Sequence, residues 1–195
     1  YEEQQLTTDL VSKLPQPGSI TNEQAWAHGF TEFTLSNGMK VYAKKTDYEA
    51  DAVSLSMKAD GGTSLYDDKD IPNFSLISSG VTEGGVGNFD AVSLRKMLTG
   101  KSVRVSPSVG SKGQSINGSS SVKDMKTMFQ LTYLYFTQPR KDSAAYASLI
   151  SRTRSFLSNR NASPKVDYND SIRAILYDHH PRMAPVDRKS TRLNS

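Results

Sequence analysis

The stretch QSINGSSSVKDMKTMFQLTYLYFTQP, residues 114–139, decides the fold, because its apolar period changes midway. Gln114 to Ser119 alternates with the period of two that sends successive side chains to opposite faces of a strand. From Ser120 onward Met125, Met128, Phe129, Thr132, Tyr133 and Phe136 recur at helical spacing and predict a buried stripe, and Pro139 ends the run. Ser121 and Asp124 form a capping pair for the first-turn N–H groups, and the row Ser119, Ser120, Ser121 is expected to cap the helix that begins there. A strand that turns directly into a helix is the junction expected where a sheet meets its helical layer.

The same two periods organise the rest of the chain. Upstream, Thr31 to Leu35 and Met39 to Lys44 flank Ser36-Asn37-Gly38, which predicts a β-hairpin closed by an Asn-Gly type I′ turn. Ala52 to Lys58 places Val53, Leu55 and Met57 on one face of a third strand, and Val103 to Ser108 reads as a strand before Gln114 to Ser119. Between them lie two short helices, Asp70 to Ser79 with Asp70 as N-cap, and Asp90 to Leu98 with Leu94, Met97 and Leu98 on one face and Gly100 at the C-terminal cap position. Downstream, helices run from Asp142 to Asn159, with Tyr146, Leu149, Ile150, Thr153, Phe156 and Leu157 as the expected buried stripe, and from Pro164 to Tyr177, with Val166, Ile172, Ile175 and Leu176. Strands first and helices after make this an α+β domain, a mostly antiparallel sheet with helices packed on one face.

At 195 residues and 36% hydrophobic the chain suits one core. No apolar run approaches the ~20 residues that cross a bilayer as a helix. Without cysteine there is no disulfide framework, thiolate metal site or cysteine nucleophile. The chain opens on Tyr1 with no basic-then-apolar leader and reads as a piece of a longer protein. Residues 1–28, broken at Leu14-Pro15-Gln16-Pro17-Gly18, read as a linker, and 29–186 as the domain. The last nine residues, Asp187 to Ser195, match the in-frame translation of a sequencing adapter. They hold three of the 24 basic and one of the 20 acidic residues, so the formal charge of +4 falls to +2 without them. That is little field for nucleic acid, which is not an expected partner, although Tyr133, Tyr135 and Phe136 stand close to Arg140 and Lys141.

Candidate chemistry is sparse. The three histidines are His28, His179 and His180, and adjacent side chains cannot easily grip one metal, so the last two read as polar loop residues beside Pro181. No glutamate follows Glu83, which leaves the later helices without one. The run Gly80 to Gly87 lacks the G-x-G-x-x-G spacing and the Lys-Ser or Lys-Thr of phosphate loops, and is expected to be a hinge or tight loop. No G-x-S-x-G elbow is present.

The order of Phe33-Thr34-Leu35-Ser36-Asn37-Gly38-Met39-Lys40-Val41, Gly61-Gly62-Thr63-Ser64-Leu65, Val86-Gly87-Asn88-Phe89, Leu98-Thr99-Gly100-Lys101, Leu131 to Arg140 and Leu176 to Arg182 resembles the insulinase (pitrilysin-type, inverzincin) zinc metallopeptidase family. Members carry an inverted H-x-x-E-H motif, in which two histidines bind zinc, the glutamate is the general base, and a later glutamate completes the site. Aligned on that motif, Asn73 and Ile77 occupy the histidine positions and Leu76 the base position. Ile77 offers zinc no lone pair and Leu76 cannot accept a proton, so the resemblance implies no catalytic residue and no metal ligand in this chain. It implies instead the third, non-catalytic domain, which opens the C-terminal half of a two-half clamshell, preceded by the linker between halves. Zinc would then lie upstream in the parent protein, this domain would wall a peptide-degrading chamber, and its partners would be the zinc-bearing half, or a partner subunit, and the peptide substrate. A bacterial periplasm or cell envelope is the expected compartment. The alternative is a stand-alone inactive homologue serving as a structural or assembly subunit.

Overall fold

In the computed structural model, which describes residues 9–160 and 163–184, the strand-to-helix junction forms as the sequence predicts. Those residues divide into two compact units, 9–52 and 53–184.

The first unit is a three-stranded antiparallel sheet of β1 (Ile20–Trp26), β2 (Phe30–Leu35) and β3 (Lys40–Ala43), in the order β1-β2-β3. β1 lies inside the segment read as linker, since Ile20 to Trp26 pairs along β2 with Trp26 opposite Phe30. Its alternation is too polar to announce a strand, and the neighbouring hairpin supplies the missing ladder. The hairpin register holds, with Phe33 opposite Val41, but the turn differs from the expected type I′. Gly38 alone takes a left-handed conformation, φ 82°, with Gly38 N–H donating to the Leu35 carbonyl at 2.8 Å. Type I′ needs two left-handed residues, whereas here the Asn37 side chain accepts from Met39 N–H at 3.0 Å, and a three-residue loop results.

The second unit contains another antiparallel sheet, β4 (Val53–Asp60), β5 (Val103–Val109) and β6 (Gly113–Ser120), ordered β4-β6-β5. The α+β class is as expected, with the strands shared between two three-stranded sheets. Five helices are described: α1 (Ile71–Gly84), α2 (Ala91–Met97), α3 (Met125–Thr137), α4 (Ser143–Arg160) and α5 (Pro164–Leu176). α3 packs on β5 and β6, α1 on β5, and α4 on α1. α1 outruns its predicted end at Ser79 because no proline intervenes and the last turn is tied to α4 by Glu83 and Arg152 at 2.9 Å. Asp90 caps α2 through Ser93 N–H at 2.7 Å, while the Asp70 side chain caps nothing because a 3-10 turn leads straight into α1.

The α3 stripe is rotated from its expected position. Met128, Leu131, Leu134 and Tyr135 are buried, with Met128 fully enclosed over Gly118, whereas Met125, Phe129 and Phe136 are exposed. Apolar residues surround this helix, so the sheet selects the face. The serine row divides as well: Ser119 and Ser120 complete β6, and Ser121 alone caps, its Oγ accepting from Asp124 N–H at 3.2 Å. Asp124 in turn accepts from Ser102 N–H at 2.8 Å and Ser121 Oγ–H at 2.9 Å, bonds that hold its carboxyl below the usual range, the Ser102 contact foremost.

The expected loop over residues 80–87 is shorter than predicted: residues 80–84 form the last turn of α1, and only Gly85 to Gly87 make the tight loop. Val86 is fully buried, Gly87 N–H donates to the Gln138 carbonyl at 2.8 Å, and Arg140 N–H donates to the Gly85 carbonyl at 3.1 Å. The expected adapter translation, 187–195, lies outside the described residues.

Candidate functional site

Asn73, Leu76 and Ile77 fall at helical positions i, i+3 and i+4 and therefore share one face of α1. That face opens on a cleft of about 550 Å³ between α1, the segment 139–142 and the first turn of α4. All three residues line it, and Phe74, Pro139 and Tyr146 make most of its remaining surface apolar. The residues that the resemblance aligns with a zinc motif are thus gathered at one concavity, but their chemistry does not fit zinc: two hydrocarbon side chains and one carboxamide supply neither imidazole nor carboxylate.

The other groups capable of metal or proton chemistry are dispersed and engaged. Glu83 faces away to pair with Arg152. His28 occupies a left-handed turn position, φ 58°, between β1 and β2. His179 is also left-handed, φ 52°, with its N–H on the Ala174 carbonyl at 2.8 Å, and His180 Nδ1 accepts from Arg182 N–H at 3.2 Å. Both shape the turn after α5, which is the loop role expected of them. Among the described residues no three histidine, aspartate or glutamate groups cluster so as to share a metal ion. Nor is any described helix long and apolar enough to cross a membrane. Of the aromatics near Arg140 and Lys141, Tyr135 is buried, which pushes its hydroxyl pKa up, so no common stacking face forms with exposed Phe136.

Two features were not fully legible in the sequence. The first is the uncovered face of the β4-β6-β5 sheet. Helices take the face bearing Val105 and Ile116, and the opposite face presents Ser54, Ser56, Arg104, Ser106, Asn117 and Ser119. Ser56 Oγ–H donates to Asn117 Oδ1 at 3.0 Å, and Lys58 stands at one end. Such a surface offers hydroxyl and amide groups to a ligand backbone without an apolar patch. For β4 the open half was expected, since Val53, Leu55 and Met57 share the other face, while for β5 and β6 only the alternation was visible.

The second is Arg182. Its guanidinium donates to Asp68 Oδ1 at 2.6 Å, the Thr63 carbonyl at 2.9 Å and the Tyr66 carbonyl at 2.5 Å. This joins the Gly61 to Leu65 and Leu176 to Arg182 motifs, which are more than a hundred residues apart in the chain. In the first unit, Glu32 is the comparable case of polar organisation. Its carboxylate is buried and accepts from Gln24 Nε2 at 3.1 Å and Lys40 Nζ at 3.2 Å. The Tyr42 hydroxyl beside it is the largest influence holding its carboxyl below the usual range, with Lys40 and Gln24 adding to it against the cost of burial.

No family model matches the chain. Among curated proteins, it is 30% identical over 138 residues to a protein of Arabidopsis thaliana named Zinc protease PQQL-like, a match covering 70% of this chain and 12% of that protein. It is 26% identical over 126 residues to Probable zinc protease PqqL of Haemophilus influenzae, covering 62% of this chain and 14% of the relative. The chain therefore spans a small part of each relative's length. Among solved structures, the periplasmic protease PqqL of Escherichia coli superposes with a TM-score of 0.79 at 20% identity, over 94% of this chain and 20% of that one. The ferredoxin protease FusC, solved in complex with Arabidopsis ferredoxin, gives 0.70 at 15% identity over 96% and 21%. A peptidase M16 inactive domain from Pseudomonas fluorescens gives 0.67 at 17% identity over 89% and 41%. The structural likenesses give this chain the fold of those proteases, and the Arabidopsis relative, with the ordered motifs from Phe33 to Arg182, makes it similar in sequence to zinc proteases and supports the resemblance to the insulinase, or M16 peptidase, family.

Proposed function

We propose that this chain is a non-catalytic domain of a zinc endopeptidase, the third of the parent protein's related domains, and that it walls the chamber in which peptides are degraded. Zinc and the general base belong to a domain upstream, and the chain alone hydrolyses nothing. One observation carries this reading: the α1 face aligned with the family's zinc motif bears Asn73, Leu76 and Ile77, which cannot bind zinc or activate water. The likeness to an M16 inactive domain supports it, as does the zinc-protease naming of both curated relatives.

The open face of β4-β6-β5 is the wall in this proposal. Hydroxyl and amide groups there would hydrogen-bond an extended peptide and orient it in a space from which bulk water is displaced when the chamber closes. The partners are the zinc-bearing half of the same protein, or a separate subunit carrying it, and a peptide or protein substrate. FusC, a structural neighbour, was solved with a protein bound, which favours substrates of that class. The proposed compartment is the periplasm or cell envelope, the periplasm being that of the Escherichia coli neighbour.

The test places the photo-cross-linking residue p-benzoylphenylalanine at Ser106, on the open face, and at Ser155, exposed on α4, in the full-length protein. A bound peptide is expected to cross-link from position 106 and not from 155. Cross-linking from neither, or from 155 alone, overturns the wall. Chelator-sensitive hydrolysis by the 195-residue chain itself would overturn the non-catalytic reading.

A further inference from the structure

We propose that the cleft on α1 is a peptide-binding subsite that takes the C-terminal residue of a peptide, its aliphatic or aromatic side chain against Leu76, Ile77 and Tyr146 and its carboxylate toward Arg140 and Lys141. The inference rests on the chamber-wall reading for the kind of ligand, and on the cleft itself for the site.

Size and lining define the occupant. About 550 Å³ lies within the ordinary range of small-ligand sites, and the cleft suits one large side chain with its adjoining backbone. The floor is hydrocarbon and aromatic, while the polar groups gather on the 139–143 side. That side is basic. Lys141 is exposed and has no acidic partner among the described residues, and Arg140 meets Asp142 only at 3.6 Å, long for a charge-assisted contact. Asp142 is itself committed, since its Oδ1 accepts from Ala145 N–H at 2.9 Å at the start of α4. Among the residues lining the cleft, two cations therefore face one engaged carboxylate, while Asp90, committed to capping α2, acts on Arg140 from outside it. A ligand that joins an apolar side chain to a carboxylate satisfies both surfaces, and the end of a peptide chain does so within a single residue.

The rim is also preorganised. Arg140 N–H is held by the Gly85 carbonyl at 3.1 Å, Gly87 N–H holds the Gln138 carbonyl at 2.8 Å, and Tyr146 N–H donates to the Asp142 carbonyl at 3.0 Å. Both cations thus stand on backbone fixed before a ligand arrives, which lowers the ordering cost of binding. The same concavity does not fit zinc for the reason that it can bind a side chain: apart from the Asn73 carboxamide, its α1 wall is apolar where a metal site needs imidazole or carboxylate donors.

Gly80 provides a clean probe. It lies inside α1 on the cleft side, and a Cβ built there meets only Tyr146 Cδ2, at 4.0 Å. In Gly80→Leu the new side chain fills the cleft without backbone conflict, and leucine is the better helix former. The experiment is a fluorescence-anisotropy titration of the full-length protein, with chelator present to prevent cleavage. Its probes are a labelled Gly/Ser octapeptide ending in Leu-Phe with a free carboxylate, and the same peptide as its C-terminal amide. The amide is expected to bind about 5-fold more weakly, the scale of one exposed charge pair, and Lys141→Gln to remove most of that difference. Gly80→Leu is expected to weaken the acid by about 10-fold at unchanged helix content by circular dichroism. Equal affinity for acid and amide, or a Gly80→Leu protein that binds like the parent, overturns the subsite. The wall reading fails separately, on the cross-linking from Ser106, whichever way this titration falls.

Discussion

α3 and α5 are both thirteen residues long and each carries an apolar side, richer in α3, yet seven residues of α3 are buried and none of α5 is. The difference lies in how each is held. α3 is held by a face: Met128, Leu131 and Leu134 lie against β5 and β6, so the helix is part of the core. α5 is held at polar points. At its midpoint Asp170 accepts from both guanidinium nitrogens of Arg160, at 2.5 and 2.8 Å, and beyond its C-terminal end Arg182 grips the Thr63 to Asp68 loop. Ile175 and Leu176 remain largely exposed between these polar anchors. Helical periodicity therefore announces a helix with an apolar side, while burial requires an opposing surface.

Substitutions can break or sharpen that contrast. Met128→Ala removes a side chain with no exposed surface and should lower stability by about 2–5 kcal/mol, read as a reduced urea midpoint; a loss under about 1 kcal/mol would deny that α3 is held by its face. Arg182→Ala removes three hydrogen bonds from one partly exposed cation. It should cost about 1–2 kcal/mol, concentrated in α5 as faster amide exchange there than in α3. Uniform acceleration across both helices would show that the anchor serves the whole unit.

Acid should act on the same end of the molecule. The Arg160 guanidinium holds the Asp170 carboxyl below its usual range, so the folded chain binds fewer protons there than the unfolded one. The stability contributed by the pair is present above the ordinary carboxylate pKa and is lost as the pH falls through the lowered value. Amide exchange in α5, corrected for its intrinsic pH dependence, should rise on acidification in the parent, and Asp170→Asn should flatten that response. Smallest of all, Leu176→Ser should change stability by less than about 0.5 kcal/mol, because the side chain is already 73% exposed; a larger loss would reveal a contact absent from this structure.

Legibility in the sequence followed the range of the interaction responsible. Helices and strands were placed by neighbours within a few residues: Pro139 and Pro181 mark ends, and the change of period at Ser120 marks the passage from β6 to α3. Two errors were local, the type of the Asn37-Gly38 turn and the Asp70 cap, and the larger ones arose where a distant partner decided. β1 is a strand because β2 offers it a ladder, the Met125-Phe129-Phe136 side of α3 is exposed because the sheet takes the other side, and Arg182 finds Asp68 from 114 residues away. The candidate site divides along the same line. That Asn73, Leu76 and Ile77 share a helix face follows from spacing, but the cleft they line also requires Pro139, Arg140 and Tyr146, which only packing of α4 on α1 brings alongside.

The sequence by itself determined the α+β class, the order of most elements and the sharing of one helix face by Asn73, Leu76 and Ile77, because each depends on residue type and on spacing within a turn or a strand. Tertiary structure decided which side of α3 is core, which side of the second sheet stays open and where the basic rim meets the apolar cleft. Those depend on surfaces far apart in the chain, whose meeting is set by the burial and hydrogen bonding of the fold as a whole.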